Sequence, residues 1–196
     1  TYENLVLPKV DRWIFLDNPP DDYRRYEITE SWVSPRVKVW TISWDFIATS
    51  YEHDEFGATS EDPNMKVMMT EKRWRKLSNF YKEINHTGFE VINKNAKKML
   101  ITTSANSYNL KAFVENNPEF WLIILKIIKP LNPELLEVIN CLEELIFVES
   151  NYSGQLENYV CKEFGLKYKK DLIISNYRKY DLYPFYYEDL EEKFKK

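Results

Sequence analysis

The densest chemistry-bearing run in the sequence is Glu52-His53-Asp54-Glu55. Along an extended backbone successive side chains alternate, so Glu52 and Asp54 would project to one side and His53 and Glu55 to the other. Two carboxylates on one side could hold a hard cation, but Ca²⁺ takes about 6 to 8 oxygen ligands and no neighbouring spacing supplies the rest. The run reads as a salt-bridged loop or interface, with no metal site. His86, the only other histidine, precedes Thr87-Gly88 and reads as a helix-end group. Cys141 and Cys161 fall in separate helical segments without a partner spacing, which suits small buried hydrophobes and not a nucleophile.

Two loops have residues suited to holding an anion: Ser104-Ala105-Asn106-Ser107-Tyr108, and Asn151-Tyr152-Ser153-Gly154-Gln155 just after Glu149. Each follows a candidate strand and opens a helix, where free backbone N–H groups gather. The same residue types are ordinary turn and cap formers. Neither G-x-x-x-x-G-K nor G-x-G-x-x-G occurs. Glu149 and His53 are the only acid–base combination to consider, and nothing in the spacing brings them within reach of one another. No catalytic residue is assigned.

The elements that would position these residues fall into three stretches. Residues 1–62 carry the turn chemistry, with Asn18-Pro19-Pro20-Asp21-Asp22, Ser34-Pro35-Arg36 and the acidic loop from Glu52 to Asp62, and read as an extended arm or connector. Val37, Val39, Thr41 and Ser43 alternate with Lys38, Trp40, Ile42 and Trp44, a rhythm compatible with a strand though not strongly amphipathic. Residues 63–88 read as a long helix, opened by Asp62 as cap and Pro63 at its first position. Its apolar stripe would be Val67, Thr70, Trp74, Leu77, Tyr81 and Ile84, with Lys66, Glu71, Lys72, Arg75 and Lys76 in water.

Residues 89–196 read as an α/β domain. Met99 to Thr103, Leu122 to Ile128, Leu145 to Val148 and Leu172 to Ile174 are apolar runs without polar alternation, as in a mostly parallel sheet covered on both faces. Helices between them open at Asn106 or Ser107, at Asn132-Pro133-Glu134 and at Ser153, and a last short helix docks through Leu190 and Phe194.

Composition narrows the function. The 196 residues carry 31 acidic against 27 basic side chains, a formal charge of −4, which argues against a nucleic-acid binder. The only basic cluster near the tyrosine-rich tail is Lys167 to Lys170, so packing or a protein contact is expected of those rings. No apolar run approaches the roughly 18 to 20 residues of a membrane span. Two cysteines supply neither a disulfide framework nor the ligands of an iron–sulfur cluster, and a reduced, cytoplasmic chain is expected. The start, Thr1-Tyr2-Glu3-Asn4, lacks an initiator methionine and reads as a fragment or processed product.

Several segments together resemble one family. Tyr26-Glu27-Ile28-Thr29-Glu30-Ser31-Trp32-Val33-Ser34-Pro35-Arg36, then Glu52-His53-Asp54-Glu55-Phe56-Gly57, then Glu61-Asp62-Pro63 leading to Glu71-Lys72-Arg73-Trp74-Arg75-Lys76-Leu77, are similar to the alpha subunit of 2-oxoacid:ferredoxin oxidoreductases, particularly the 2-oxoglutarate type. Val148-Glu149-Ser150-Asn151-Tyr152-Ser153-Gly154-Gln155-Leu156 and Lys179-Tyr180-Asp181 before Pro184-Phe185 resemble its C-terminal portion, and the order is colinear. The resemblance implies a three-layer domain of the transketolase C-terminal type, preceded by a connector that leaves a pyrimidine-binding domain. It implies that thiamine diphosphate, Mg²⁺ and an iron–sulfur cluster sit on that domain and a beta subunit, with none on this chain. It also implies an oligomeric assembly that passes electrons to ferredoxin and an acyl group to coenzyme A. This chain would be scaffold and subunit contact, with Arg36, Glu52, His53, Asp54 and Glu55 structural or interfacial. Ser104, Asn106, Glu149, Asn151 and Gln155 are then the candidates for coenzyme A or interface contact. A stand-alone α/β interaction module that keeps the fold without the reaction is the alternative.

The departures from the family pattern run in one direction. Glycine is expected at Trp13, Trp32, Trp40, Trp44 and Trp121, as in Gly-Val-Ser-Pro-Arg where this chain has Trp32-Val33-Ser34-Pro35-Arg36, and also at Leu182. The chain has four glycines and six tryptophans, where ordinary usage of about 7% gives roughly fourteen glycines. Turn glycines often take positive φ, which a bulky side chain resists. The five tryptophans fit UGA codons that the source organism reads as glycine; Leu182 does not. The source gene is expected to carry UGA at all five positions, and UGG there overturns the reading.

Overall fold

The computed structural model describes residues 14–195 apart from 79, 84, 85 and 95. The chain divides into two compact units, Thr1–Glu83 and Ile84–Lys196.

In the first unit a two-residue strand β1 (Phe15–Leu16) pairs in parallel with β2 (Arg36–Val37). The alternation from Val37 to Ser43 does not extend β2. Thr41 N–H closes a turn on the Lys38 carbonyl at 3.2 Å, and Trp44 N–H closes another on Thr41 at 3.3 Å. Hydrogen-bonded turns satisfy the backbone there in place of a strand ladder. The helix α1 (Pro63–Ser78) starts where Asp62 and Pro63 place it, with Asp62 Oδ1 accepting Asn64 N–H at 3.0 Å. After residue 79, α2 spans Phe80–Glu83.

The face of α1 differs from the expected one. Met69 and Lys72 are its buried residues, whereas Val67 and Trp74 are more than half exposed, and Ile84 lies outside the described residues. Lys72 was expected in water. It is buried because its ammonium donates to the Tyr26 carbonyl and to Ser34 Oγ, so the polar head is satisfied under the arm.

The second unit is the α/β domain. Its sheet has the order β3-β5-β4-β6-β7, from β3 (Phe89–Ile92), β4 (Lys98–Thr103), β5 (Phe120–Leu125), β6 (Glu144–Glu149) and β7 (Ile173–Arg178). All neighbours are parallel except β3, which runs antiparallel to β5. β3 was not read from sequence: four residues with Glu90 in the middle give little apolar signal. The connections carry α3 (Ser107–Asn116), α4 (Glu134–Ile139) and α5 (Gln155–Glu163), and α6 (Tyr187–Phe194) follows β7.

Alternation along each strand divides the core in two. Met99, Ile101, Ile123, Leu145 and Phe147 pack with Leu135 and Ile139 of α4 and Leu156 and Val160 of α5. Leu100, Leu122, Ile124, Ile146 and Val148 pack with Leu110, Phe113 and Val114 of α3 and Leu190 of α6. Phe194 docks as expected, its ring 5.6 Å from Phe120 and 5.9 Å from Phe113. The result is the expected three-layer, mostly parallel architecture. Cys161 is buried in α5, and burial raises its thiol pKa, whereas Cys141 follows α4 and is exposed.

The backbone separates the tryptophans. Trp32 and Trp40 have φ of 63° and 71°, and Leu182, also an expected glycine, has 73°. Trp40 is the third residue of the Lys38–Thr41 turn, where positive φ normally selects glycine. Trp44 and Trp121 are not of positive φ, Trp121 lying within β5, and Trp13 is outside the described residues. Positions 32 and 40 are therefore glycine-type positions by geometry. Trp40→Gly is expected to unfold at about 1 kcal/mol higher free energy than Trp40→Ala, the cost of a Cβ in left-handed backbone. Urea titration of the pair measures it, and the ordinary order, alanine above glycine, would refute the assignment.

Candidate functional site

Two places bring the sequence candidates together, one in each unit. In the second unit they meet at the carboxyl ends of β4 and β6. Ser104 and Asn106 form the single 3₁₀ turn after β4, and Ser150 Oγ donates to Asn106 Oδ1 at 3.0 Å. Glu149 ends β6 and is buried, yet it is not an isolated charge. Its Oε2 accepts Asn151 Nδ2–H at 2.6 Å and Leu156 N–H at 2.9 Å, and its Oε1 accepts Glu157 N–H at 3.3 Å. Asn151 Oδ1 accepts the N–H groups of Gly154 and Gln155 at 2.8 and 3.1 Å.

The start of α5 is thus closed by two side chains, which occupy N–H groups an anion would otherwise use. Gly154 permits this closure: its φ is 68°, and a Cβ there would meet the Arg178 guanidinium at 2.4 Å. That guanidinium pairs with Glu157 at 2.5 Å. Beside these loops, Ser150, Lys179, Tyr180 and Tyr183 line a cleft of about 380 Å³. Lys179 is engaged by Asp189 at 2.5 Å and the Pro184 carbonyl at 3.0 Å, and the Asp189 hydrogen bond raises its pKa.

In the first unit the acidic run separates its four side chains among four tasks. Glu52 takes both Nη atoms of Arg73, at 3.1 and 2.6 Å, and Lys66 at 3.1 Å. The Arg73 hydrogen bond, aided by Lys66, lowers its pKa from 4.5 to about 2. His53 Nδ1–H donates to the Asp54 carbonyl at 2.8 Å, and the ring lies 4.1 Å from that of Tyr26. Asp54 Oδ1 accepts the N–H groups of Phe56, Gly57 and Ala58, each at 2.9 Å. Gly57 closes this loop at φ 98°, where a Cβ would stand 2.7 Å from the Ile47 carbonyl oxygen. Glu55 accepts Arg24 Nη1 at 3.0 Å and Ile28 N–H at 2.8 Å. Among the described residues no three His, Cys, Asp or Glu side chains converge as metal ligands.

What these contacts hold in place is a pocket of about 360 Å³, lined by Arg25, Arg36, Lys72, Arg73 and Lys76 together with His53 and apolar Trp32, Val33 and Met69. Of the expected residues, Arg36 and His53 face it, while Glu52, Asp54 and Glu55 shape its surroundings. Sequence reasoning missed Arg25, Lys72 and Lys76. The i,i+4 pair Lys72 and Lys76 was the available signal, but the same spacing describes a solvated helix face.

No family model matches the chain. Curated relatives do. An alpha subunit of 2-oxoacid:ferredoxin oxidoreductase from Saccharolobus solfataricus is 32% identical over 160 residues, 78% of this chain and 25% of the relative. That of oxidoreductase 2 from Aeropyrum pernix is 29% identical over 183 residues, 90% of this chain and 28% of the relative. The chain resembles part of a 2-oxoacid:ferredoxin oxidoreductase alpha subunit. It spans under a third of the length of these relatives. A solved 2-oxoglutarate:ferredoxin oxidoreductase from Magnetococcus marinus superposes with a TM-score of 0.71 at 23% identity, covering 90% of this chain and 31% of that one, and shows the same fold. The likeness read from the Val33-Ser34-Pro35-Arg36 and Glu52-His53-Asp54-Glu55 segments is borne out, and so is the fold it implied.

The Glu52 pairing has a pH signature. Its carboxyl pKa is lower in the folded state, so its stabilisation is complete above about pH 4.5 and is lost as pH falls toward 2. Because Arg73 is half exposed, the contribution is discounted to about 1 kcal/mol. Glu52→Gln is expected to remove that much stability at pH 6 and none near pH 2. Denaturant titrations at both values check it; an equal loss at pH 2 would contradict the pairing.

Proposed function

We propose that this chain is a scaffold and subunit-contact portion of a 2-oxoacid:ferredoxin oxidoreductase alpha subunit. The observation carrying the reading is the similarity to such alpha subunits over nearly the whole chain, 97% for the Sulfurisphaera tokodaii relative, joined to the matching fold. In the assembly a 2-oxoacid is oxidatively decarboxylated to an acyl-coenzyme A and electrons leave to ferredoxin. The similar solved structure carries 2-oxoglutarate, coenzyme A and succinyl-CoA, which makes 2-oxoglutarate the first substrate to test.

The cofactor chemistry fits neighbours better than this chain. Thiamine diphosphate supplies the electron sink for decarboxylation, and iron–sulfur centres carry single electrons. Here the two thiols are a buried residue of α5 and an exposed one after α4, which is not a cluster-binding set. Following the resemblance, thiamine diphosphate, Mg²⁺ and the cluster are assigned to a pyrimidine-binding domain and a beta subunit. Residues 1–62 act as connector, 63–88, which carry α1 and α2 in place of one long helix, as a contact segment, and 89–196 as the transketolase C-terminal-like domain. Among the described residues no helix is long and apolar enough to cross a membrane.

The residues of this chain contribute position and not bond-breaking. Glu149 and Asn151 fix the strand-end loops, and the exposed faces of Val67, Met68 and Trp74 on α1 offer apolar surface for a subunit contact. Affinity purification of the chain from its source is expected to bring down a partner subunit containing thiamine diphosphate. That fraction should reduce ferredoxin with 2-oxoglutarate and coenzyme A, while the isolated chain with added thiamine diphosphate shows no turnover. Recovery of the chain alone, in fractions without such activity, would favour the stand-alone interaction module.

A further inference from the structure

We propose that the pocket formed by the Arg25–Arg36 segment and α1 binds a small molecule through a phosphate or diphosphate group. The inference stands on the geometry of the first unit and does not depend on the oxidoreductase reading.

Five cationic side chains, Arg25, Arg36, Lys72, Arg73 and Lys76, line one concavity, and no carboxylate among the described residues lines it. Of these, Arg73 is paired with Glu52, which also holds Lys66, while Glu55 is held by Arg24 and the Ile28 N–H. Among the described residues no carboxylate pairs with Lys72 or Arg25. Lys72 is only 7% exposed, and its partners, the Tyr26 carbonyl and Ser34 Oγ, are neutral. Arg25 rests on the rings of Tyr26 and Phe46, 5.1 and 5.0 Å from their centres. Positive charge in a partly enclosed cavity with low-dielectric walls concentrates the field that draws an anion.

Two titration shifts agree with this excess. Burial lowers the Lys72 pKa to about 8, and Arg25, Lys76 and Arg73 push it further down against the opposing pull of Glu55. Burial also lowers that of Arg25, with Arg36 adding to it. A bound anion relieves both repulsions. Phosphate suits the donors, because forked guanidinium groups match its oxygens in pairs and a dianion answers several cations at once. The volume, about 360 Å³, exceeds what a bare phosphate fills, and Trp32, Val33 and Met69 give the rest of the ligand an apolar wall.

Titration calorimetry on the full chain at fixed ionic strength tests the assignment, with inorganic pyrophosphate as probe and inorganic phosphate and succinate as companion arms. One pyrophosphate per chain is expected, bound more tightly than succinate. Affinity should fall at least tenfold in Arg25→Gln and in Lys76→Gln, and stay unchanged in Lys126→Gln, a lysine of the second unit. Circular dichroism confirms folding; Lys76, exposed on α1, carries the test if Arg25→Gln does not fold. Absence of pyrophosphate binding to the folded chain, or undiminished binding in the folded pocket variants, overturns the site. Succinate binding as tightly as pyrophosphate overturns the phosphate assignment.

Discussion

A strand with apolar side chains on both faces has to be covered twice, and β4, β5 and β6 are such strands. Met99 and Ile101 need one layer and Leu100 another, and the same holds along Leu122 to Leu125 and Leu145 to Val148. Parallel neighbours require crossovers, and the crossovers are the helices that provide the cover. From this requirement the rest of the second unit follows. The loops after β4 and β6 must come out at one edge of the sheet, which is how Asn106 and Ser150, 44 residues apart, come into hydrogen-bond contact. Glu149 is buried there because it ends a buried strand, and it is tolerated because α5 begins directly above it with N–H groups to receive its charge.

The first unit is organised differently. Its strands are two residues long, and few of its apolar side chains are buried, Val33 and Met69 among them. Order comes from polar contacts: Lys72 under the Tyr26 carbonyl and Glu52 on Arg73 join the arm to α1, and Glu55 on Arg24 ties the arm to itself. Such contacts contribute modestly one by one, and they set direction more than stability. Their arrangement leaves the carboxylates outside and the cations lining a cavity. Among the described residues this unit buries little apolar surface of its own, and the chain spans under a third of its relatives' length.

The tryptophans join the two levels. A tryptophan at φ 63° or 71° places the largest side chain where backbone geometry favours none, and two of the positions expected to be glycine have that geometry. Trp44 and Trp121 do not, so for them the case rests on sequence pattern alone. At position 32 the indole also lies under the Arg75 guanidinium, 4.7 Å from the ring centre, and lines the cationic pocket, so the residue present there bears on the shape of that pocket.

What the sequence determined by itself was whatever depends on short-range order. Uninterrupted apolar runs marked four of the five strands of the main sheet, Asp62-Pro63 marked the start of α1, and Leu190 and Phe194 marked the docking face of α6. Colinear motifs identified the relatives. What only the tertiary structure decided was which charges are buried and where each one points. Lys72 and Lys76 have the spacing of a solvated face, and it is the Tyr26 carbonyl and Ser34 Oγ, 46 and 38 residues away, that draw the first of them inside. The four side chains of Glu52-His53-Asp54-Glu55 carry no label for their partners either. Hydrogen-bond partners distant in sequence are fixed by the path of the chain, and a charge is stable in the interior only where that path delivers one.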